Sequence, residues 1–205
     1  MNMPNTQNVK LSENIILADA DYIDLVTFRL SVQFERMVGR RIPKADLSRW
    51  AVDIALDGGL REDSKTHETQ LVLLHDKSKK QLDNFSPSVY DTDLNAQAFR
   101  DDKLGEFLVN AYPTGSMVAK DDYLQDAIRT ILEHDEVRRL MIIPNGEEGE
   151  SYDLVSRALH DAPDDKRITV FAMQPMPGGN FRQEILGYSL MNALGIKADE
   201  LKTED

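Results

Sequence analysis

The stretch NIILADADYID, residues 14–24, sets the architecture of the chain. Its first half is a short unbroken apolar run, which is typical of a strand buried on both faces of a parallel sheet. Its second half places Asp19 and Asp21 directly after that strand. Because a carboxylate at the edge of a core costs free energy unless something compensates it, these acids predict a helix cap or a bound cation.

Four other segments repeat the apolar pattern, and helical segments separate them. The predicted strands are residues 14–18, 70–75, 106–111, 140–143 and 168–172. The predicted helices are residues 21–38, 44–56 after Pro43, 121–134, 151–160 with Ser151 as N-cap, and 181–194 with Asn180 as N-cap. Residues 27–35 alternate like a strand, but the length of 21–38 without a turn residue favours a helix.

Strands that alternate with helices form parallel βα units with right-handed crossovers. The sequence therefore predicts an α/β fold, a three-layer α/β/α sandwich with a five-stranded, mainly parallel sheet. One apolar residue of each strand is expected to be buried: Leu17, Leu73, Leu108, Ile142 and Val170. Residues 75–102 are polar and predict a loop with a short helix.

Composition limits the class of protein. With 205 residues, we expect one α/β domain over residues 13–197, a disordered or extended segment 1–12, and an acidic tail 198–205. The chain has no cysteine, which excludes disulfides, thiolate metal sites and cysteine nucleophiles. It has no apolar run near ~20 residues and no signal segment, so we expect no membrane span and a cytoplasmic location. Its net charge of −12 argues against general nucleic-acid binding.

Acidic residues follow three of the five predicted strands, where ligands bind in an open parallel sheet. Asp19 and Asp21 follow the first strand, Asp121 and Asp122 lie beyond the third, and NGEEGES, residues 145–151, follows the fourth. Clustered carboxylates repel one another unless a cation neutralises them, and Mg²⁺ or Mn²⁺ prefers such oxygen ligands. Ordinary alternatives remain: Asp19 and Asp21 could cap a helix, and the glutamates could favour a helix N-terminus.

The order of these elements resembles the PIN-like fold, and in particular its NYN branch of metal-dependent ribonucleases. NIILADAD resembles the family's first strand, and KDDYLQDAIRTIL is similar to its Lys- and Asp-bearing helix. NGEEGESYDLVSRAL resembles its later acidic loop and helix, with Glu148 and Glu150 where the family has aspartates. RITVFAM resembles its last strand, so the likeness covers most of residues 14–174.

The resemblance implies a divalent-cation site and hydrolysis of RNA phosphodiester bonds by metal-activated water. The implied ligands are Asp19, Asp21, Asp122 (or Asp126), Glu148 and Glu150, with Asp19 and Asp122 catalytic. Residues at strand ends that would suit phosphates of RNA are Lys77, Lys79, Lys80 and Asn145. The glutamates would displace a metal by ~1 Å, so we expect weak or absent cleavage.

Two other functions fit the same residues. One is a non-catalytic member of the fold that binds a protein partner, a small ligand or a second copy of itself, since fold does not imply function. The other is a haloacid-dehalogenase-like phosphatase, in which Asp19 would be the nucleophile and Asp21 the acid/base. Such a phosphatase needs a Ser or Thr after the second strand, where this chain has His75 and Asp76.

Overall fold

A computed structural model describes residues 10–115 and 119–201 of the chain. The apolar runs form strands there, and the amphipathic segments form helices. The strands are β1 (Asn14–Asp19), β2 (Ala45–Asp46), β3 (Glu68–Asp76), β4 (Phe85–Ser86), β5 (Gln97–Asp101), β6 (Gly105–Thr114), β7 (Arg139–Ile143), β8 (Arg167–Ala172) and β9 (Arg182–Ile185). The α-helices are α1 (Ala20–Val38), α2 (Leu47–Asp57), α3 (Lys120–Leu132), α4 (Ser151–Ala158) and α5 (Leu186–Ala193).

One sheet contains seven of these strands, in the order β5-β6-β3-β1-β7-β8-β9. Each neighbouring pair is parallel except the edge pair of β5 and β6. The short strands β2 and β4 form a separate parallel pair. Without β5, the sheet follows the doubly wound order 3-2-1-4-5-6, so the strand order reverses at β1.

Helices cover both faces of the sheet, and each face has its own core. Alternate residues of β1 show the division, because Ile16 and Ala18 pack with α1, α2 and α5, whereas Ile15 and Leu17 pack with α3 and α4. A strand covered on both faces must be apolar at consecutive positions. This requirement explains the unbroken apolar run of residues 15–18 in β1.

The structure confirms a helix where residues 27–35 also showed strand periodicity. Asp19 caps the N-terminus of α1, and Gly39 ends it in the left-handed conformation, with φ of 67°. The backbone N–H of Gly39 donates to the carbonyl of Glu35, which closes the last turn. Phe28, one of the alternating apolar residues, is 51% exposed on this helix.

The predicted α/β class and mainly parallel sheet are confirmed, but the sheet has seven strands instead of five. The two additional strands, β5 and β9, lie at its edges and read QAFRD and RQEI. An edge strand needs little apolar surface, so neither sequence shows the pattern of a buried strand. The predicted helix 181–194 is therefore wrong in its first part, because α5 begins only at Leu186 and Asn180 does not cap it.

One other helix start and one N-cap differ from prediction. α2 begins at Leu47 instead of residue 44, because Asp46 caps it by accepting from the N–H of Arg49 at 3.0 Å. In α4 the N-cap position belongs to Glu150, and Ser151 is the first helical residue.

Four of the five residues predicted to be buried are buried, and Leu108 is the exception at 40% exposure. Its neighbours Phe107 and Val109 point into the core beneath α1 and α2. Leu108 and Tyr112 lie on the opposite side of β6, which the helices of that face leave largely open. The prediction failed because it assumed that helices cover both faces of every strand.

The segment predicted as a loop with a short helix, residues 75–102, contains a π-helical turn at Tyr90–Leu94 and also the strands β4 and β5. The first residues of the predicted tail form a 3-10 turn at Ala198–Leu201, where Glu200 accepts from Nε of Arg40 at 2.7 Å. Residues 1–9 and 202–205 of the two predicted terminal segments lie outside the described residues. Within residues 10–115 and 119–201, no helix combines the length and apolarity needed to cross a membrane.

Candidate functional site

The strand order creates a crevice at the carboxyl edge of the sheet, outside β1 and β7. From β1 the chain runs through α1 and α2 to β3 on one side, and it reaches β7 on the other side through α3. In doubly wound sheets, ligands bind where the strand order reverses in this way. The side chains that follow β1 and β7 are therefore the first candidates for a site.

Asp19 ends β1 and is almost fully buried, with 3% of its surface exposed. Its Oδ1 atom accepts a hydrogen bond from the backbone N–H of Tyr22 at 3.0 Å, which caps α1. The same atom accepts a hydrogen bond from Nζ of Lys120 at 2.7 Å. Asp19 thus caps a helix and also holds a cation, and that cation is a side chain of the same chain.

Lys120, the first residue of α3, contacts a second carboxylate as well. Its Nζ atom donates to Oδ2 of Asp21 at 2.7 Å, and Oδ2 also accepts from the backbone N–H of Asp76 at 2.8 Å. We call Asp19, Asp21 and Lys120 the Asp–Lys–Asp cluster. The cluster connects the end of β1, the first turn of α1, the start of α3 and the end of β3.

Burial and charge act against each other within the Asp–Lys–Asp cluster. Burial raises the pKa of Asp19 above its ordinary value, and the charge and hydrogen bond of Lys120 offset only part of that rise. Burial also disfavours the ammonium of Lys120, but Asp19 and Asp21 outweigh it and raise the pKa of Lys120. Lys120 is therefore charged at neutral pH, and the cluster carries one net negative charge when both carboxylates are ionised.

The loop after β7 forms the other wall of the crevice. Oδ1 of Asn145 accepts from the backbone N–H groups of Glu147 and Glu148, both at 3.1 Å, and folds the loop into a turn. Glu147 pairs with Arg29 of α1 at 3.0 Å. The side chains of Glu148 and Glu150 are exposed and form no hydrogen bond or ion pair with any other described residue. Asn145 therefore organises this loop, and the two glutamates face solvent.

The lysines predicted to bind RNA lie in an exposed turn after β3. Oδ1 of Asp76 accepts from the N–H and the hydroxyl of Ser78 at 2.8 and 2.7 Å, which shapes the turn. Just before it, the rings of His75 and Tyr90 are stacked with centroids 3.7 Å apart. The exposed lysines are Lys77, Lys79 and Lys80, and none is in an ion pair with another residue that the structure describes. The carboxyl edge thus carries charges of both signs.

The structure does not gather the five predicted metal ligands into one group. Asp19 and Asp21 are joined through Lys120, whereas Asp122 on α3 is exposed, as are both loop glutamates. Across residues 10–115 and 119–201, no three His, Cys, Asp or Glu side chains are grouped closely enough to hold a metal ion. As arranged, these residues do not fit Mg²⁺ or Mn²⁺.

Sequence reasoning placed Asp19 and Asp21 at the strand end but did not identify Lys120 as their partner. The sequence does contain one indication: a lysine at the first position of a helix lies at the positive end of the helix dipole, and nearby negative charge would stabilise it. Asp19 and Asp21, at the end of β1, could provide that negative charge. Their distance from Lys120 along the chain, about a hundred residues, hides the pairing from any local pattern.

Comparisons with known proteins give one family match. A family model described as "Family of unknown function (DUF6621)" matches residues 8–201, which is nearly the whole chain. The search of curated proteins and the search of solved structures each found no match.

Proposed function

The chain belongs to the DUF6621 family of unknown function, and we propose that it is a non-catalytic binding domain with a PIN/NYN-like fold. One observation carries the proposal: Lys120 places its ammonium group 2.7 Å from carboxylate oxygens of both Asp19 and Asp21. Lys120 thus supplies, from within the chain, the positive charge that the carboxylates of a magnesium site take from a bound ion. The carboxylates are then satisfied without a metal.

The segments that resemble NYN motifs all reach one edge of the sheet, which supports a PIN/NYN-like fold. The strand that ends in Asp19, the helix that begins with Lys120 and the loop after β7 all reach the carboxyl edge of the sheet. The loop has Glu148 and Glu150 in place of the aspartates that the family has. These longer side chains argue against catalysis, because a reacting group that is displaced by ~1 Å loses most of its effect on the reaction rate.

The exposed acids around the crevice indicate the kind of ligand. Four of them form no ion pair with a Lys or Arg of the described ranges: Asp76, Asp122, Glu148 and Glu150. Unpaired carboxylates on a chain of net charge −12 attract cationic partners at long range and speed their association. The exposed lysines follow β3, on the other side of β1 from the loop after β7. We therefore take the ligand to be a basic segment of a partner protein that contacts the side of β7, where Glu148 and Glu150 lie.

A binding assay with matched charge changes tests this proposal. The probe is a fluorescent oligolysine peptide, titrated into the wild type and into the crevice variant Glu148→Gln with Glu150→Gln. The control variant, Asp135→Asn with Asp164→Asn, removes two exposed acids at the opposite edge of the sheet. We expect the crevice variant to bind at least threefold more weakly than the control. Equal affinities would contradict recognition at the crevice.

A metal-dependent ribonuclease is the second candidate. The observation that favours it is that Asp19 and Asp21, two of the ligands that the resemblance to NYN ribonucleases implies, both contact Lys120 at the carboxyl edge. Cleavage of single-stranded RNA that requires Mg²⁺ or Mn²⁺ and disappears in Asp19→Asn would establish this function and overturn the non-catalytic one. Loss of RNA binding on replacing Lys77, Lys79 and Lys80 would assign them to the substrate. We expect no cleavage.

A further inference from the structure

The amino edge of the sheet, opposite the crevice, carries a row of arginines on adjacent strands. Arg139 of β7 lies directly beside Arg167 of β8, and Arg182 of β9 lies beside Thr169 of β8. Residues in phase with them on β7 and β8, Met141 and Phe171, pack on the side of α1, α2 and α5. Because side chains alternate along a strand, the three arginines belong to that same side of the sheet.

A cavity of about 350 Å³ opens beside this row. Three of its lining residues are cationic, namely Lys166, Arg167 and Arg182, and its lining includes no acidic residue. The turn after α2 forms another wall, where an added Cβ on Gly59 would lie 3.8 Å from Nη1 of Arg182. The charged groups that line the cavity are therefore all positive, although the protein as a whole has a net charge of −12.

Contacts inside the protein account for only some of these charges. Lys166 donates to the carbonyls of His134 and Val137 at 2.8 and 3.0 Å, which positions its ammonium without neutralising it. Arg182 has one exposed ion pair, with Glu184 at 3.2 Å. Arg167 is in no ion pair with any residue that the structure describes. Two of the three cations therefore lack a carboxylate partner.

Arg139, the member of the row on β7, is affected by burial and by charges of both signs. Burial lowers its pKa, the charges of Arg167 and Arg61 lower it further, and the carboxylates of Glu13 and Asp63 offset part of this effect. Nε of Arg139 is buried without a hydrogen-bond partner. Arg61 is stabilised by the carboxyl end of α2, because it donates to the carbonyls of Leu56 and Leu60. Among the described residues, Arg139 and Arg167 have no such contact with the helix. An anion in the cavity would offset the positive charge of Arg167, which lies beside Arg139.

We propose that the cavity beside Lys166, Arg167 and Arg182 binds a small phosphorylated molecule. Guanidinium groups present planar, paired donors that match phosphate oxygens, and the lysine adds a point charge. The volume lies near the lower end of the range for small-molecule pockets, roughly 300–1,000 Å³. Phe181 lines the cavity and packs edge-on against Tyr152, so its ring is held in place for the apolar part of the ligand. This site is independent of the crevice.

The overall charge favours a compact ligand over a long one. A nucleic-acid strand would extend beyond the cavity over a protein of net charge −12, which repels phosphates at long range. A small phosphorylated molecule stays within a Debye length of about 8 Å of the cavity cations at physiological salt, where local charges dominate.

Calorimetric titration of the full-length chain with pyrophosphate tests the proposal. We expect saturable binding of one pyrophosphate per chain, at least tenfold weaker in Arg167→Gln with Arg182→Gln. The control, Arg49→Gln with Arg129→Gln, removes two exposed arginines that do not line the cavity, and we expect a change below twofold. If the double variant does not fold, the single exposed change Arg167→Gln takes its place, with an expected loss of at least threefold.

Two outcomes would overturn the site. One is the absence of saturable pyrophosphate binding to the wild type, or equal weakening in the control variant. The other is tight binding of single-stranded RNA without binding of pyrophosphate, which would assign the arginine row to nucleic acid. Because no probe here is cationic, failure of this test leaves the result of the oligolysine assay at the crevice unaffected.

Discussion

The two edges of the sheet both carry clusters of charge, but they balance that charge differently. At the carboxyl edge, Lys120 is held between Asp19 and Asp21, so each buried charge has a partner of opposite sign within the chain. At the amino edge, Lys166 and Arg167 have no carboxylate partner among the described residues. Charges that are paired within the chain contribute to stability, whereas unpaired charges are available to a ligand.

The largest expected effect is a loss of stability in Lys120→Met. Removing one partner of a buried pair leaves an uncompensated charge and costs about 3–5 kcal/mol when both partners are fully buried. Because the Lys120 side chain is 25% exposed, we expect about 2–3 kcal/mol, measured by urea unfolding at pH 7. Lys79→Met removes an exposed, unpaired lysine and should change stability by less than about 0.5 kcal/mol. Similar values for the two variants would contradict the contrast between the edges.

The next effect is a pH dependence that belongs to Asp19. Its pKa is raised in the folded protein, so the native state binds a proton more readily than the unfolded chain does. The free energy of unfolding should therefore fall as pH rises from the ordinary Asp pKa through the raised one. Asp19→Asn keeps a good helix cap and cannot titrate, so it should lack that decline.

This second prediction is checked by urea unfolding of the wild type and Asp19→Asn across the acidic range and up to pH 7. The difference between them should grow in favour of the asparagine variant as pH rises and then become constant. Asp164→Asn, an exposed change, serves as the control and should follow the wild type. A difference that is independent of pH would show that burial does not govern the titration of Asp19.

The smallest expected effect lies at the amino edge. Arg167→Gln removes a charge that repels Arg139 and breaks no ion pair of the described structure. It should therefore leave stability unchanged or raise it by about 0.5 kcal/mol. Thermal unfolding at low and at physiological salt measures this, and the gain should shrink as salt screens the repulsion. A loss above about 1 kcal/mol would mean that Arg167 is balanced by a contact inside the protein.

The sequence predicts the central strands of the sheet better than its edge strands. The central strands were predictable because β1, β3, β7 and β8 are covered on both faces and must be apolar at consecutive positions. The edge strand β9 has no such constraint, and its polar sequence RQEI does not distinguish it from the start of a helix. Leu108 was predicted to be buried, but helices cover only one face of β6 at that point.

The candidate sites were predictable only in part, for a similar reason. Asp19 and Asp21 follow a buried strand, and the rule that ligands bind at strand ends identifies them directly. Lys120 joins them only after α3 is placed across the sheet, which no local pattern reports. The arginine row depends on the register of β7, β8 and β9, and the position of β9 was not apparent from the sequence.

Titration with Mn²⁺ tests most directly the claim that Lys120 supplies the cation of the carboxyl edge. The melting temperatures of the wild type and Lys120→Met are measured at increasing Mn²⁺ concentration. An ion that binds only the native state raises the melting temperature. We predict no Mn²⁺-dependent rise for the wild type at millimolar metal. We predict a clear rise for Lys120→Met, in which Asp19 and Asp21 are left without a cation. A Mn²⁺-dependent rise in the wild type that is equal to or larger than that of Lys120→Met would contradict the claim.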